Sequence, residues 1–237
     1  MPYLGDIYDP EYVEDAIPAL FTFSVDALEV MADRCPHLEE MYVDVQRTRG
    51  DRREMAMYRA LSKLPRLKRV VLRLSCSLGS DAALGGMTPK DIKKLFEQAF
   101  SNCALDETLA RAIFDVVSRA GQGSVQYLRI ESSFTCPRQN LHRSFDAAVR
   151  VLTRKWVCQR ACASKLNGVV VREIDANGTQ LAIKQCSEDD WVNPWYRRTQ
   201  NYEAVFKSLW PGNDPPWTDW TSLALETGDG PESGIVD

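Results

Sequence analysis

The chain has 237 residues, 44% of them hydrophobic and 26% charged, a balance that can bury a sizeable core in one large domain or two small ones. Its net charge of −4 argues against a general nucleic-acid binder, which needs a basic excess to displace counterions from phosphates. The sequence has no apolar run of about 18 residues that could span a bilayer, and Met1-Pro2-Tyr3-Leu4-Gly5-Asp6 is not the start of a secretory leader.

The first element with clear signals begins at Phe23-Ser24, after a weakly periodic, Pro- and Tyr-containing lead-in. Ser24 can cap the free amides of a helix, and Phe23 can pack on Leu28 as a hydrophobic staple. Leu28, Met31 and Cys35 then share one face, and Pro36 ends the helix. Met41, Val43 and Val45 alternate with polar residues, the period of a half-buried strand. A basic loop follows, from Gln46 to Arg53, in which Asp51 and Glu54 have the spacing of a capping box. The next helix turns Met57, Tyr58 and Leu61 inward and stops at Pro65.

The pattern then repeats. Cys35-Pro36-His37-Leu38-Glu39-Glu40-Met41 aligns with Leu64-Pro65-Arg66-Leu67-Lys68-Arg69-Val70, an offset of 67 − 38 = 29 residues. That spacing is at the upper end of the leucine-rich-repeat range of about 20–29. The third unit is longer. A Gly- and Ser-rich loop, Cys76 to Met87, leads to a helix opened by Thr88-Pro89, with Ile92, Leu95, Phe96, Ala99 and Phe100 in one apolar stripe. Asp106 starts another helix with Leu109, Ile113, Val116 and Val117 inward, ending near Gly121. The strand from Val125 to Ile130 lies 125 − 67 = 58 residues beyond Leu67.

The fourth unit reads as one long helix from about Ser144 to Lys165, with Phe145, Val149, Leu152 and Trp156 on one face. Val169 to Ile174 is a strand, and Asp175-Ala176-Asn177-Gly178 is a hairpin signal because Asn-Gly accepts positive φ. Leu181, Ile183 and Gln185 would form the returning strand that closes the layer. Five tryptophans follow residue 190, around a short helix carrying Tyr202, Val205, Phe206 and Leu209. They are expected to seal the end of the stack, since repeat layers need a cap.

These elements predict an α/β fold, an irregular leucine-rich-repeat-like layer of helix–strand units. Its sheet is mostly parallel, with a closing β-hairpin and a Trp-rich C-terminal cap. The expected organisation is a lead-in over 1–23, the repeat-like domain over 24–186, the cap over 187–227 and a disordered tail over 228–237.

Three blocks carry a resemblance: Cys35 to Met41, Met57-Tyr58-Arg59-Ala60-Leu61-Ser62-Lys63-Leu64-Pro65, and Trp217-Thr218-Asp219-Trp220-Thr221-Ser222-Leu223. From about Ser24 to Leu225 the chain resembles the C-terminal regions of fungal F-box/leucine-rich-repeat-like proteins. The resemblance implies a repeat region that binds a substrate protein, downstream of an F-box that docks on the adaptor of a cullin–RING ubiquitin ligase. The first 40 residues carry no Leu-Pro-rich F-box block. The asparagine of regular repeats is replaced by Gln46, Ser75 and Ser133.

Strand alternation turns Met41, Val43, Val45, Val70, Leu72, Leu74, Leu128 and Ile130 to the core. The opposite face then presents Tyr42, Arg69, Val71, Arg73, Tyr127 and Arg129, with Glu40 facing Arg69 and Asp44 facing Arg73 if the first two strands are parallel. Tyrosine and arginine are the residue types enriched at binding hot spots, so this face is the expected partner surface; the plainer account is that its charges only solvate and align the sheet.

The basic cluster Arg47, Arg49, Arg52, Arg53, Lys63, Arg66, Lys68 and Arg69 reads as a solvated loop rather than a phosphate site. The seven cysteines are odd in number and irregularly spaced, which predicts reduced thiols. Cys158 and Cys162 would share a helical face, one loose pair where a structural zinc site needs four ligands. Gly121-Gln122-Gly123 precedes a strand, whereas a phosphate loop opens a helix. The expectation is a non-enzymatic intracellular protein of the cytoplasm or nucleus, monomeric, binding a protein partner, with no cofactor, metal, nucleic acid or membrane. The rival readings are an enzyme using a Cys/His pair or a cleft in the Trp-rich tail, and a truncated relative without retained activity.

Overall fold

The computed structural model describes residues 23–77, 88–119, 125–135, 143–161, 168–177, 179–180, 202–212 and 220–225. Its elements, in chain order, are α1 (Val25–Arg34), β1 (Glu40–Gln46), α2 (Arg52–Ser62), β2 (Arg69–Ser77), α3 (Pro89–Cys103), α4 (Glu107–Arg119), β3 (Tyr127–Thr135), α5 (Arg143–Leu152), β4 (Lys155–Arg160), β5 (Val169–Glu173) and α6 (Tyr202–Leu209). The five strands form one mixed sheet in the order β1-β2-β3-β4-β5.

Local signals set the helix starts. Ser24 accepts from the Ala27 amide at 3.1 Å. Thr88 and Asp91 exchange the reciprocal bonds of a capping box, with Pro89 at the first helical position. Asp51 caps α2, accepting from the amides of Arg53 and Glu54 at 2.9 and 3.0 Å. The expected box is not completed there, because the Glu54 carboxylate turns to other donors. Asp106 accepts from the Leu109 amide at 2.8 Å and so caps α4.

The repeat spacing is the strand register. β1 and β2 are parallel with Glu40 beside Arg69, and β2 and β3 are parallel with Arg69 beside Tyr127. The offsets are 69 − 40 = 29 and 127 − 69 = 58, so the third unit spans twice the step and carries two helices, α3 and α4. Every predicted core residue of these strands is buried, from Met41 at 6% exposed to Val70, Leu72, Leu74, Leu128 and Ile130 at 0%. They pack with Leu28 of α1, Met55, Tyr58 and Leu61 of α2 and Ile113, Phe114 and Val117 of α4. Cys76 continues the same face into a second cluster with Phe96 and Phe100 of α3, Leu152 of α5 and Phe206 of α6. Cys35, expected inward, is exposed at the end of α1.

The second half departs from the expectation in three ways. The long helix ends at Leu152, and Lys155–Arg160 is strand β4, antiparallel to β3. Trp156 is 7% exposed and its indole donates to the Leu105 carbonyl at 2.9 Å, while the adjacent Val157 is 1% exposed. Consecutive buried residues suit a strand covered on both faces better than an amphipathic helix, which would turn one of them outward. Cys158 therefore lies on a strand, and Cys162 falls outside the described residues.

Second, β4 and β5 pair antiparallel, so the sheet has two parallel and two antiparallel pairings and is mixed rather than mostly parallel. Third, the residues of the expected Asn-Gly hairpin are helical at Ala176-Asn177 and at Thr179-Gln180. The Thr179 amide donates to the Asp175 carbonyl at 3.0 Å, a helical bond, and its hydroxyl donates to Glu173. Those bonds turn the chain helically in place of the hairpin, and the hairpin that ends the described sheet is β4–β5. The expected returning strand at 181–185 lies outside the described residues, as do Gly178, residues 1–22, Gly121 to Gly123 and 226–237.

The C-terminal aromatics do pack together. Phe100 and Phe206 meet edge-on at 6.0 Å between centroids, Phe206 and Trp210 at 4.6 Å, and Trp210 and Trp220 at 6.2 Å. Trp210 donates to the Thr221 carbonyl at 2.8 Å. Ser222 ties this segment to the start of α4, its amide and hydroxyl donating to Asp106 at 2.9 and 2.7 Å. Trp191, Trp195 and Trp217 fall outside the described residues.

Candidate functional site

The residues singled out in the sequence come together on the sheet face opposite the helices. Register arranges them in rows across the strands: Glu40, Arg69, Tyr127, Gln159 and Val170; then Tyr42, Val71, Arg129, Val157 and Arg172; then Asp44, Arg73, Glu131 and Lys155. The edges of the face are open, with Tyr42 42% and Val170 55% exposed, whereas Val157 on β4 is buried at 1%. Arg69, Val71, Arg73, Tyr127 and Arg129 are half-buried.

Two contacts fix the middle of the face. Arg73 donates from Nε and Nη2 to the two carboxylate oxygens of Asp44 at 2.8 and 2.9 Å, as the register predicts. That hydrogen bond holds the Arg73 pKa above the ordinary arginine value. The second expected pair does not close. Glu40 sits beside Arg69 in register, but the Arg69 guanidinium lies over the Tyr127 ring, 4.3 Å from its centroid. Lys68 instead pairs with Glu39 at 2.7 Å, where both groups are exposed.

Charge is unevenly spread over this face. β1 contributes Glu40 and Asp44, while β2 to β5 carry Arg69, Arg73, Arg129, Lys155 and Arg172 against the single carboxylate of Glu131. Glu131 accepts from Arg129 Nη2 at 3.3 Å, and Lys155 lies 3.8 Å from Asp175. Arg73 is matched by Asp44, Arg129 by Glu131 and Lys155 by Asp175, so these three cations are paired with carboxylates.

The other cluster is one that motif-reading missed. Arg47, assigned to a basic loop, is fully buried and bonds Glu54 through Nη1 at 2.6 and 2.8 Å. Glu54 also accepts from the amides of Thr48 and Gly50, each at 2.8 Å, and from the Tyr58 hydroxyl at 2.6 Å. The signal was present. Arg47 continues the inward parity of Met41, Val43 and Val45, and Glu54, Tyr58 and Leu61 share the inward face of α2. Burial pushes the Tyr58 hydroxyl well above the ordinary tyrosine value, helped by the negative charge of Glu54.

This network closes the β1–α2 loop over Leu225. Gly50 has φ +75°, and a Cβ there would come within 2.7 Å of the Leu225 side chain and 2.9 Å of its Cα. Arg49 also has positive φ. With Lys63 bonded to Glu29 at 2.6 Å and Lys68 to Glu39, three members of the basic cluster are tied to carboxylates.

Of the four described thiols, Cys35 is exposed and the other three, Cys76, Cys103 and Cys158, lie in the core. Burial pushes Cys103 up, with a hydrogen bond to Cys76 adding to the rise, and pushes Cys158 up to about 12. A reactive cysteine needs the opposite shift. Among the described residues no group of three His, Cys, Asp or Glu gathers as a metal site, and no helix is long and apolar enough to cross a membrane. His142, Cys136 and Cys186 lie outside the described residues. No protein-family model, no curated protein and no solved structure matches the chain.

Proposed function

We propose that the chain is a protein-interaction module built as a short, irregular leucine-rich-repeat-like layer, acting by recognition with no chemistry of its own. On the family resemblance, its role is the substrate-recognition part of an F-box-type ubiquitin ligase component. The binding surface is the outer sheet face, with Tyr42, Arg69, Val71, Arg73, Tyr127 and Arg129 as contacts. One observation carries the reading: the parallel strands β1, β2 and β3, offset by 29 and 58 residues, align tyrosines and arginines in rows on the face away from the helices. The Asp44–Arg73 fork and the Arg69–Tyr127 stack hold these side chains in place before any partner arrives. Side chains fixed in advance lose less entropy on binding.

A photo-crosslinking residue at Gln46, exposed on the same face, should capture a partner from cell extract. Tyr42→Ala combined with Val71→Ser should cut the yield by on the order of tenfold, the loss expected from hot-spot truncation. The melting temperature should fall by only about 2–4 °C, the cost of losing a half-buried β-branched side chain, and the chain stays folded at the assay temperature. Arg73 is left intact because removing it would strand Asp44, which is only 9% exposed. A yield unaffected by the double substitution would sink the reading.

A further inference from the structure

We infer that Cys76 and Cys103 form a reversible dithiol–disulfide clamp, a site of oxidative modification that fastens the end of α3 to β2.

The fold brings these thiols together across 103 − 76 = 27 residues of chain. Cys76 lies near the end of β2 and Cys103 is the last residue of α3. Both are fully buried in the cluster that holds Phe96, Phe100 and Phe206. The Cys76 thiol donates to the Asn102 carbonyl at 3.1 Å, one residue before Cys103, and a hydrogen bond joins the two sulfurs. The Cys103 carbonyl accepts from Ser132 of β3 at 3.4 Å, so the helix end is held against the sheet where the sulfurs meet. Cys158 sits in the other cluster and donates to the Ala110 carbonyl, and Cys35 is exposed at the end of α1. Among the described residues, Cys76 and Cys103 are therefore the pair placed to bond.

Joining them removes two electrons and two protons, which a low-molecular-weight disulfide such as oxidised glutathione can accept. One cysteine thiolate attacks the glutathione S–S bond, which breaks and releases one reduced glutathione. The other thiolate then attacks the protein sulfur of the mixed disulfide, forming the Cys76–Cys103 bond and releasing the second. Burial opposes the thiolate in the closed fold, so exchange runs through local opening of the α3 end. Arg47, whose amide bonds the Ser75 carbonyl beside Cys76, supplies a positive charge that offsets part of this penalty at Cys103. Its buried Nε and Nη2 have no acceptor among the described residues. Because the native contact already holds the sulfurs together, the bond orders no further part of the folded chain, while it restricts the unfolded one.

The test holds the whole folded chain in glutathione buffers from fully reduced to fully oxidised. Remaining thiols are then blocked by alkylation, and linked peptides are mapped by mass. Peptides joined through Cys76 and Cys103 should dominate the intramolecular products. They should appear more slowly than the glutathione adduct of exposed Cys35, and dithiothreitol should reverse them. The oxidised chain should melt about 5–10 °C above the reduced one. Cys103→Ala should abolish that rise and Cys35→Ala should preserve it. If Cys103→Ala does not fold, the peptide map of the unsubstituted chain decides the matter by itself.

Absence of the Cys76–Cys103 link in the most oxidising buffer would overturn the inference, as would dominant pairing of either residue with another cysteine. An oxidised chain that melts no higher than the reduced one, or a rise that survives Cys103→Ala, would equally refute the clamp.

Discussion

Glu54 shows how one buried side chain can hold a loop. It accepts from Arg47, Tyr58 and the amides of Thr48 and Gly50, and both partners of its ion pair have fully buried side chains. Removing one member of a buried pair leaves the other charge unpaired, which costs about 3–5 kcal/mol. Glu54→Ala should lose that much stability by urea denaturation. Glu54→Leu with Arg47→Met removes both charges, yet should recover only part of the loss, because the Thr48 and Gly50 amides still lack their acceptor. A wild-type denaturation midpoint in Glu54→Ala would refute this account. The same scale explains the missed capping box. Asp51 caps as its type predicts, but a carboxylate three residues on binds whichever donors lie nearest, and tertiary structure brings Arg47 and Tyr58 to Glu54.

At the scale of elements, the first half follows its local signals and the second half does not. α1 to β3 obey caps, proline stops and two-residue alternation, so their order and register were legible. β4 was hidden because Thr153 to Arg160 continues an apolar spacing that also fits a helix. What decides its state is the Leu105 carbonyl waiting for the Trp156 indole and the open edge of β3 waiting for a partner strand. α6 depends on tertiary contact in the same way. It has only eight residues, too few to be stable alone, and it is held through Phe206 against Phe100 and Trp210. Phe206→Ala should cost about 3–5 kcal/mol and speed proteolytic cleavage within 202–212. Cleavage at the wild-type rate would mean that the aromatic cluster does not anchor this helix.

For the whole molecule, the buried ionisable groups set a pH dependence. Cys158 is pushed up to about 12, and Cys103 and Tyr58 are also raised. Each folded-state pKa exceeds its unfolded value, so the stabilisation is complete below the unfolded pKa and is lost as pH rises toward the folded one. Unfolded thiols titrate near about 8.5 and tyrosine near about 10. Stability should therefore hold up to about pH 8 and fall steadily above about pH 9, as the unfolded chain releases protons that the folded chain keeps. Denaturation midpoints measured between pH 7 and 11 check this, and a flat profile would contradict it.

The sequence by itself determined the helix starts, the inward and outward faces of β1 to β3, and the 29-residue step that became their register. These follow from short-range physics: side chains capping nearby amides, proline blocking the preceding turn, and alternation along an extended chain. The same alternation placed Tyr42, Arg69, Val71, Arg73, Tyr127 and Arg129 on one face. Only the tertiary structure decided that Lys155–Arg160 is a strand, that Ala176 begins a helical turn, and that Arg69 stacks on Tyr127 instead of pairing with Glu40. It also brought Ser222 to Asp106 and enclosed Arg47. Each of those outcomes depends on a partner distant in sequence or on another strand. No local pattern specifies which donor and acceptor will be neighbours once the sheet has closed.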